Sequence, residues 1–312
     1  MQAIRVHQYG GPEQLKFERI PIPALPPDQV LIRVRAAGVL PIEWKIRQGL
    51  FRAFMPTAFP SIPGSSFSGI VEEVGSLVTG LQRGQAVFGR SSQGTYAEYT
   101  LASPETIALK PEPLSFDEAA TISGGATTAW NALFKNGELQ AGQRVLIHGA
   151  AGGVGSFAVQ LAHWKGVHVI GTASTANLDF VRSLGAEHVI DYTAARFEQV
   201  AHDVDLMLDT IGGETLQRSV AVLKPGGTLV SLLEQPSQEQ ACERGIRLMK
   251  HTAEQPFPST NLLQTIAQLI AEGEIKAVIA SLLPLREASH AHELSQSGHG
   301  RGRIVLHMDE RG

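Results

Sequence analysis

Residues 144–162 leave this chain few folds to choose from. The stretch Arg144-Val-Leu-Ile-His-Gly-Ala-Ala-Gly-Gly-Val-Gly-Ser156 runs a short apolar strand into a glycine loop, and Phe157-Ala-Val-Gln-Leu-Ala162 continues it as a helix. Its core, Ala150-x-Gly152-x-x-Gly155, is a dinucleotide-binding loop with alanine in the first glycine position. Gly152 lets the backbone approach a pyrophosphate, and Gly155 lets helix and strand pack closely. The helix N-terminus supplies N–H donors and the positive end of a dipole. No Gly-Lys-Ser/Thr follows, so the loop is not that of a P-loop protein.

The loop opens a series. Val167-His-Val-Ile170, His188-Val-Ile190, Val204-Asp-Leu-Met-Leu208 and Thr228-Leu-Val-Ser-Leu-Leu233 are short apolar runs separated by stretches of helical period, the pattern of a parallel sheet with crossover helices. Upstream, Gln29-Val-Leu-Ile-Arg-Val-Arg35 alternates apolar and polar with period two. Gly69–Gly75, Gln85–Gly89 and Tyr96–Leu101 read similarly, each bounded by turn residues. The spacing therefore predicts a mostly antiparallel β domain over residues 1–120 and an α/β dinucleotide-binding domain over 121–258. A return segment, 259–312, completes the first domain through an amphipathic helix, Ser259 to Glu272, and a strand, Arg303–His307.

With 26 Lys+Arg against 30 Asp+Glu, the net charge of −4 gives no electrostatic footprint for nucleic acid. The single cysteine, Cys242, allows neither an intrachain disulfide nor a multi-thiolate zinc site. No apolar run reaches membrane-spanning length and the N-terminus lacks a signal-peptide core, so a cytoplasmic protein without nucleic-acid or membrane partners is expected.

The cofactor follows from the turn after the second strand of the series. NAD sites place an acid about 20 residues beyond the glycine loop to hold the adenosine ribose 2′-OH. Here that place reads Gly171-Thr-Ala-Ser-Thr-Ala-Asn177, hydroxyl-rich and without a carboxylate, which favours NADP. Ser174 or Thr175 also serves as a plain helix N-cap.

Several further motifs stand in a familiar order. They are Ala36-Ala-Gly-Val-Leu-Pro-Ile-Glu-Trp-Lys-Ile-Arg47, Pro63-Gly-Ser-Ser-Phe-Ser-Gly-Ile-Val-Glu-Glu-Val-Gly75, Gly94-Thr-Tyr-Ala-Glu-Tyr99, Thr128-Ala-Trp130, the loop Ala150–Gly155, Leu184-Gly-Ala-Glu-His-Val-Ile-Asp-Tyr192 and Gly300-Arg-Gly-Arg-Ile-Val305. Together they resemble the medium-chain dehydrogenase/reductase superfamily, in its zinc-independent quinone and enone oxidoreductase branch, over essentially the whole chain. The resemblance implies an α/β protein, with a doubly wound parallel Rossmann sheet beside a GroES-like, mostly antiparallel β domain. It implies that Gly152, Gly153 and Val154 cradle the pyrophosphate, and that Ser174, Thr175, Asn177 and Tyr192 surround the adenosine 2′-phosphate. Thr128, Ile211, Leu232 and Leu233 would line the nicotinamide side. Lys45 matches a lysine of enone-reducing members that reaches cofactor and substrate, and is the candidate catalytic residue. The partners implied are a small carbonyl or quinone substrate and a second copy in a homodimer, paired through the sheet edge Gly245–Lys250.

Two departures bear on the chemistry. Val39-Leu-Pro41 and Gly64-Ser-Ser66 stand where the zinc-dependent branch carries a cysteine ligand and a Gly-His-Glu motif, so no metal site is expected. Leu40 and Ser66 also replace an Asn and an Asp common among related reductases. His290, His292, His299 and His307 lie in a polar stretch and read as solvated surface residues. Phe51, Phe54, Met55 and Phe59 read as core packing, or as a substrate wall under the resemblance. The reaction implied is hydride delivery from NADPH to quinones or to the activated C=C bond of enones and enals. Its rivals are an enoyl-thioester reductase and a non-enzymatic NADPH-binding sensor or structural protein.

Overall fold

The computed structural model describes residues 1–234, 237–250, 258–298 and 300–308. The chain forms two compact units. One contains Met1–Thr127 with the described parts of Phe257–Gly273 and Ala277–Gly312; the other contains the described parts of Thr128–Pro256 with Glu274–Lys276.

The first unit holds a two-stranded ribbon, β1 (Gln2–Arg5) with β2 (Lys16–Arg19), and a seven-stranded sheet. That sheet contains β3 (Val30–Val39), β4 (Ser66–Val74), β5 (Ala86–Arg90), β6 (Tyr99–Ala102) and β7 (Ile107–Leu109). Its order is completed on the far side of β3, where β15 (Arg303–His307) and β14 (Ile279–Pro284) add from the C-terminal segment. All its pairings are antiparallel except the β14–β15 pair.

β3 departs from the half-buried pattern that its alternation predicts. Ile32, Val34 and Ala37 join Ile4, Phe67, Tyr96 and Leu306 in the main core, while Ala36 packs with Ala120 and Val305 in a second cluster. Elements packed on both sides of β3 leave little of it in water.

Residues 121–127 belong to this unit, although the sequence rhythm placed them in the second. Hydrogen bonds explain the shift. Ser123 Oγ donates to Gly89 O at 2.7 Å, and Arg303 Nη2 donates to Gly124 O. The preceding helix, Phe116–Thr121, starts at a capping box in which Glu118 N donates to Ser115 Oγ and Ser115 N donates to Glu118 Oε2.

The second unit is one six-stranded, wholly parallel sheet: β8 (Arg144–Ile147), β9 (His168–Ala173), β10 (His188–Asp191), β11 (Val204–Asp209), β12 (Leu223–Ser231) and β13 (Arg247–Lys250). Its spatial order is β10-β9-β8-β11-β12-β13, so the winding reverses between β8 and β11. In such sheets ligands bind beyond the C-terminal ends of the strands at that reversal. The core includes Leu146, Ile170, Met207, Leu216 and Leu229. The helix Gly155–Trp164 is buried from Gly155 to Ala162.

Buried Gln160 is satisfied by a two-way bond to Lys276, donating to its carbonyl at 3.1 Å and accepting from its N–H at 2.9 Å. That clasp draws residues 274–276 into this unit. The C-terminal segment otherwise builds the first unit: a helix, Thr260–Ala271, N-capped by Ser259 and ended by Gly273 at φ 80°, then β14 (Ile279–Pro284) and β15 (Arg303–His307).

Candidate functional site

In the second unit the chain leaves β8 through buried His148 and turns at Gly149, whose φ of 68° favours glycine. Gly152 N donates back to Gly149 O at 2.9 Å, and Ser156 N donates to Gly152 O at 2.9 Å. The N–H groups of Gly153 and Val154 have no partner among the described residues. A Cβ on Gly155 would stand 2.1 Å from Gly149 O and 2.8 Å from Ala150 Cα, whereas one on Gly152 would meet only Gly149 O, at 3.3 Å. The loop is thus packed shut under Gly155 and open above Gly152. Unpaired N–H groups at the start of a helix, with open space beside them, suit a pyrophosphate. The tight turn belongs to Gly149, which the fingerprint spacing does not mark.

His148 anchors this loop. Ser219 Oγ donates to Thr215 O at 2.7 Å, so it accepts from His148 Nε2–H at 3.1 Å. Nδ1 then accepts from Thr172 Oγ1 at 2.9 Å. Burial, reinforced by the Arg218 charge, pushes the imidazole down to about 4, so it is neutral near pH 7.

Neighbouring strand ends gather around the loop. Ala150 N donates to Thr172 O, and Tyr192 N to Ala173 O, which places Tyr192 beside the turn Ser174–Asn177. Thr210 Oγ1 donates to His148 O at 2.8 Å. Buried Asp209, at the end of β11, accepts from Ile211 N, Gly212 N and Ser231 Oγ at 3.0–3.1 Å. Ser231 Oγ in turn accepts from Leu233 N and Glu234 N, both at 3.3 Å, and Leu232 N donates to Asp209 O. These bonds end β12 at Ser231 and set Leu232 and Leu233 in the following turn, where the apolar run extended the strand to Leu233.

Sequence reasoning missed Asp209 and Ser231. The available signal was an Asp at a strand end followed by Thr-Ile-Gly-Gly, the composition of a side-chain-supported turn. Tyr192, Ile211 and Leu233 remain 57%, 54% and 40% exposed at this edge, apolar surface that a ligand would cover. Thr128 opens the unit, half-buried in the helix Thr127–Trp130. The Thr175 hydroxyl donates its proton to Asp191 Oδ2, 2.5 Å away.

The first unit carries Lys45 on the helix Pro41–Arg47. Its Nζ lies 5.5 Å from the centroid of the Trp44 ring, and partial burial holds the ammonium below its ordinary pKa. Buried Glu43 fastens the helix. It accepts from Leu40 N at 2.9 Å, Tyr96 Oη at 2.6 Å and Ser65 N at 3.0 Å, and burial raises its pKa. Sequence reasoning passed over this carboxylate.

Leu40 is buried, and a Cβ on Gly124 would meet its Cδ2 at 2.6 Å. Ser66 is also buried, its hydroxyl 2.6 Å from both Ala120 O and Ser123 Oγ. Both substitutions therefore complete the protein interior. Phe59 packs on the core and edge-on to Tyr9. Phe54, however, is 73% exposed, so core packing does not account for it.

One histidine reading needs correcting. His292 is fully buried, with Nε2 3.2 Å from Tyr96 Oη, and burial pushes it down to about 3. His290 and His307 instead pair with Glu293 and Asp117 at 3.5 and 3.0 Å, and His299 lies outside the described residues. No group of three His, Cys, Asp or Glu residues placed to hold a metal occurs among the described residues.

A parallel sheet reversing at a glycine loop, in a chain that also holds a separate, mostly antiparallel β unit, defines a two-domain protein of the dinucleotide-binding class. Residues 26–112 match the alcohol dehydrogenase GroES-like domain model, and residues 184–306 match the zinc-binding dehydrogenase model. The quinone oxidoreductase of Mus musculus is 36% identical over 98% of this chain and 97% of its own. The chloroplastic NADPH-dependent alkenal/one oxidoreductase of Arabidopsis thaliana is 34% identical, over 98% of this chain and 79% of its own. The crystal structure of Escherichia coli quinone oxidoreductase complexed with NADPH is similar with a TM-score of 0.90 and 28% identity, covering 98% of this chain and 100% of that one. The chain belongs to the medium-chain dehydrogenase/reductase superfamily, in its quinone and enone oxidoreductase branch.

Proposed function

We propose that this protein is an NADPH-dependent reductase of quinones and of the activated C=C bonds of enones and enals. The observation that carries this reading is the glycine loop at the sheet's reversal, tight under Gly155 and open above Gly152, in a chain whose relatives carry those activities by name. Bound NADPH supplies the hydride. Gly153 and Val154 hold the pyrophosphate through their unpaired backbone N–H groups, and Gly152, bare of a side chain, gives it room to approach the backbone. Ser174, Asn177 and Tyr192, with Thr175 beside them, border the adenosine end, while Thr128, Ile211, Leu232 and Leu233 form the nicotinamide wall. NADPH is expected to bind more tightly than NADH in a fluorescence titration, and the protein to consume NADPH steadily with at least one member of a quinone, enone and enal panel. Equal affinities overturn the cofactor choice, and an inert panel overturns the reaction.

Lys45 acts as the electrophile in this reading. A cation held beside the substrate oxygen interacts most strongly once negative charge has accumulated there, and that differential lowers the barrier. Lys45→Ala is expected to reduce kcat by about 10²-fold, the scale of losing one oxyanion donor. Unchanged turnover and NADPH affinity would return Lys45 to a residue that lays its stem over Trp44.

The reaction runs without zinc in this proposal, because Val39–Pro41 and Gly64–Ser66 provide no ligand set. Activity is expected to survive exhaustive chelation; loss that added zinc restores contradicts this. A cytoplasmic location is part of this proposal; among the described residues no helix is long and apolar enough to cross a membrane. β13 ends the sheet order as an edge strand, which supports a homodimer paired there.

A further inference from the structure

The turn after β9 has no acid of its own, yet a carboxylate stands in it. Asp191, the last residue of β10, reaches across to the neighbouring strand end. Thr175 Oγ1 donates to Asp191 Oδ2 at 2.5 Å, while Thr193 Oγ1 and Thr193 N donate to Oδ1 at 2.6 and 2.9 Å. Both threonine hydroxyl protons are thereby committed to Asp191. Three such donors hold its pKa below the ordinary aspartate value, so it is ionised near neutral pH. The cation within this stretch, Arg182, is paired with Asp179 at 2.7 Å. Asn177 Nδ2 points to Ser174 Oγ at 3.2 Å.

A carboxylate at this edge is the group that accepts a ribose 2′-OH in NAD sites, and it repels a 2′-phosphate. Resting on the NADPH reading above, we propose that Asp191 is the specificity-determining residue of the adenosine end, supplying from β10 the acid that β9 lacks and limiting the preference for a 2′-phosphate over a 2′-OH. Thr175 then serves as a support for that carboxylate.

The test uses the whole chain and two fragments of the cofactor, adenosine 2′,5′-bisphosphate and 5′-AMP, titrated by calorimetry. A phosphate dianion several ångströms from a carboxylate in water-like surroundings is disfavoured by roughly fivefold to tenfold. Asp191→Asn is therefore expected to tighten the bisphosphate by about that factor and to weaken 5′-AMP. Thr175→Val, which keeps the charge, is expected to leave the ratio of the two affinities within about twofold of the starting protein. An unchanged ratio in Asp191→Asn overturns the proposal, as does a selective loss of bisphosphate affinity in Thr175→Val. If the unmodified protein binds neither fragment nor NADPH, the cofactor reading falls and this one with it; normal binding with an unchanged ratio removes this proposal alone.

Discussion

Gly155→Ala is expected to destroy both NADPH binding and the stability of the second unit. The added Cβ would stand 2.1 Å from Gly149 O and 2.8 Å from Ala150 Cα. Both are backbone atoms of the loop itself, so relief requires the helix Gly155–Trp164 to lift from β8. Overpacking of this kind costs about 1–3 kcal/mol when side chains absorb it, and more when backbone must move. Loss of more than about 10²-fold in NADPH affinity is expected, together with a fall of several degrees in melting temperature. Gly152→Ala provides the contrast, because its Cβ meets only Gly149 O at 3.3 Å. It should fold normally yet bind NADPH weakly, since the methyl occupies space meant for the pyrophosphate. Calorimetric melting and a fluorescence titration on the two variants separate packing from binding. Equal melting temperatures for both would refute the distinction.

The second large effect is acid destabilisation through two buried histidines, one in each unit. His148 and His292 are held at about 4 and about 3, while an unfolded histidine titrates near 6.5. Each folded value is depressed, so the stability conferred by the neutral rings is complete above about pH 6.5 and is lost as pH falls toward the folded values. At pH 4.5, two pH units below the unfolded value, each ring would have cost about 2–3 kcal/mol. Urea midpoints measured at pH 7 and pH 4.5 should differ accordingly, and His148→Gln and His292→Gln should each flatten the dependence. A midpoint that stays constant from pH 7 to pH 4.5 contradicts the account. The two rings fail for different reasons. His148 has both nitrogens engaged, so an added proton breaks the bond from Thr172. His292 has Nδ1 buried without a partner, and its added proton would find no acceptor while facing the charge of Arg47.

The sequence was legible where physics is local. A strand, a glycine loop and a helix must be contiguous to bind a pyrophosphate, so Gly152 and Gly155 could be read directly. The helix after Ser259 carries its own cap and its own glycine stop. What stayed hidden was set by residues distant in sequence. Glu43 looks like an exposed helical acid until Tyr96 and Ser65 are folded onto it. His292 sits among polar neighbours in sequence but against Tyr96 in space. Asp191 stayed hidden because NAD sites take their acid from the strand that β9 represents, whereas this carboxylate arrives from the end of β10. The unit boundary lies at Thr127 rather than at 120–121 for a similar reason, since bonds from Ser123 to Gly89 and from Arg303 to Gly124 tie residues 121–127 to the first unit.

The position of β15 has a consequence for the order in which the molecule is made. It lies between β14 and β3, so the first unit's sheet acquires an inner strand from residues 303–307, after every residue of the second unit has left the ribosome. The second unit, nearly continuous in sequence, can close while translation continues and needs only Glu274–Lys276 to finish. The first unit must wait with the Ala36–Val39 end of β3 unpaired on the side where β6 covers only Val30–Arg33. Its amino-terminal half therefore spends the longest time exposing unpaired strand edge, the surface that chaperones shield and that aggregation exploits.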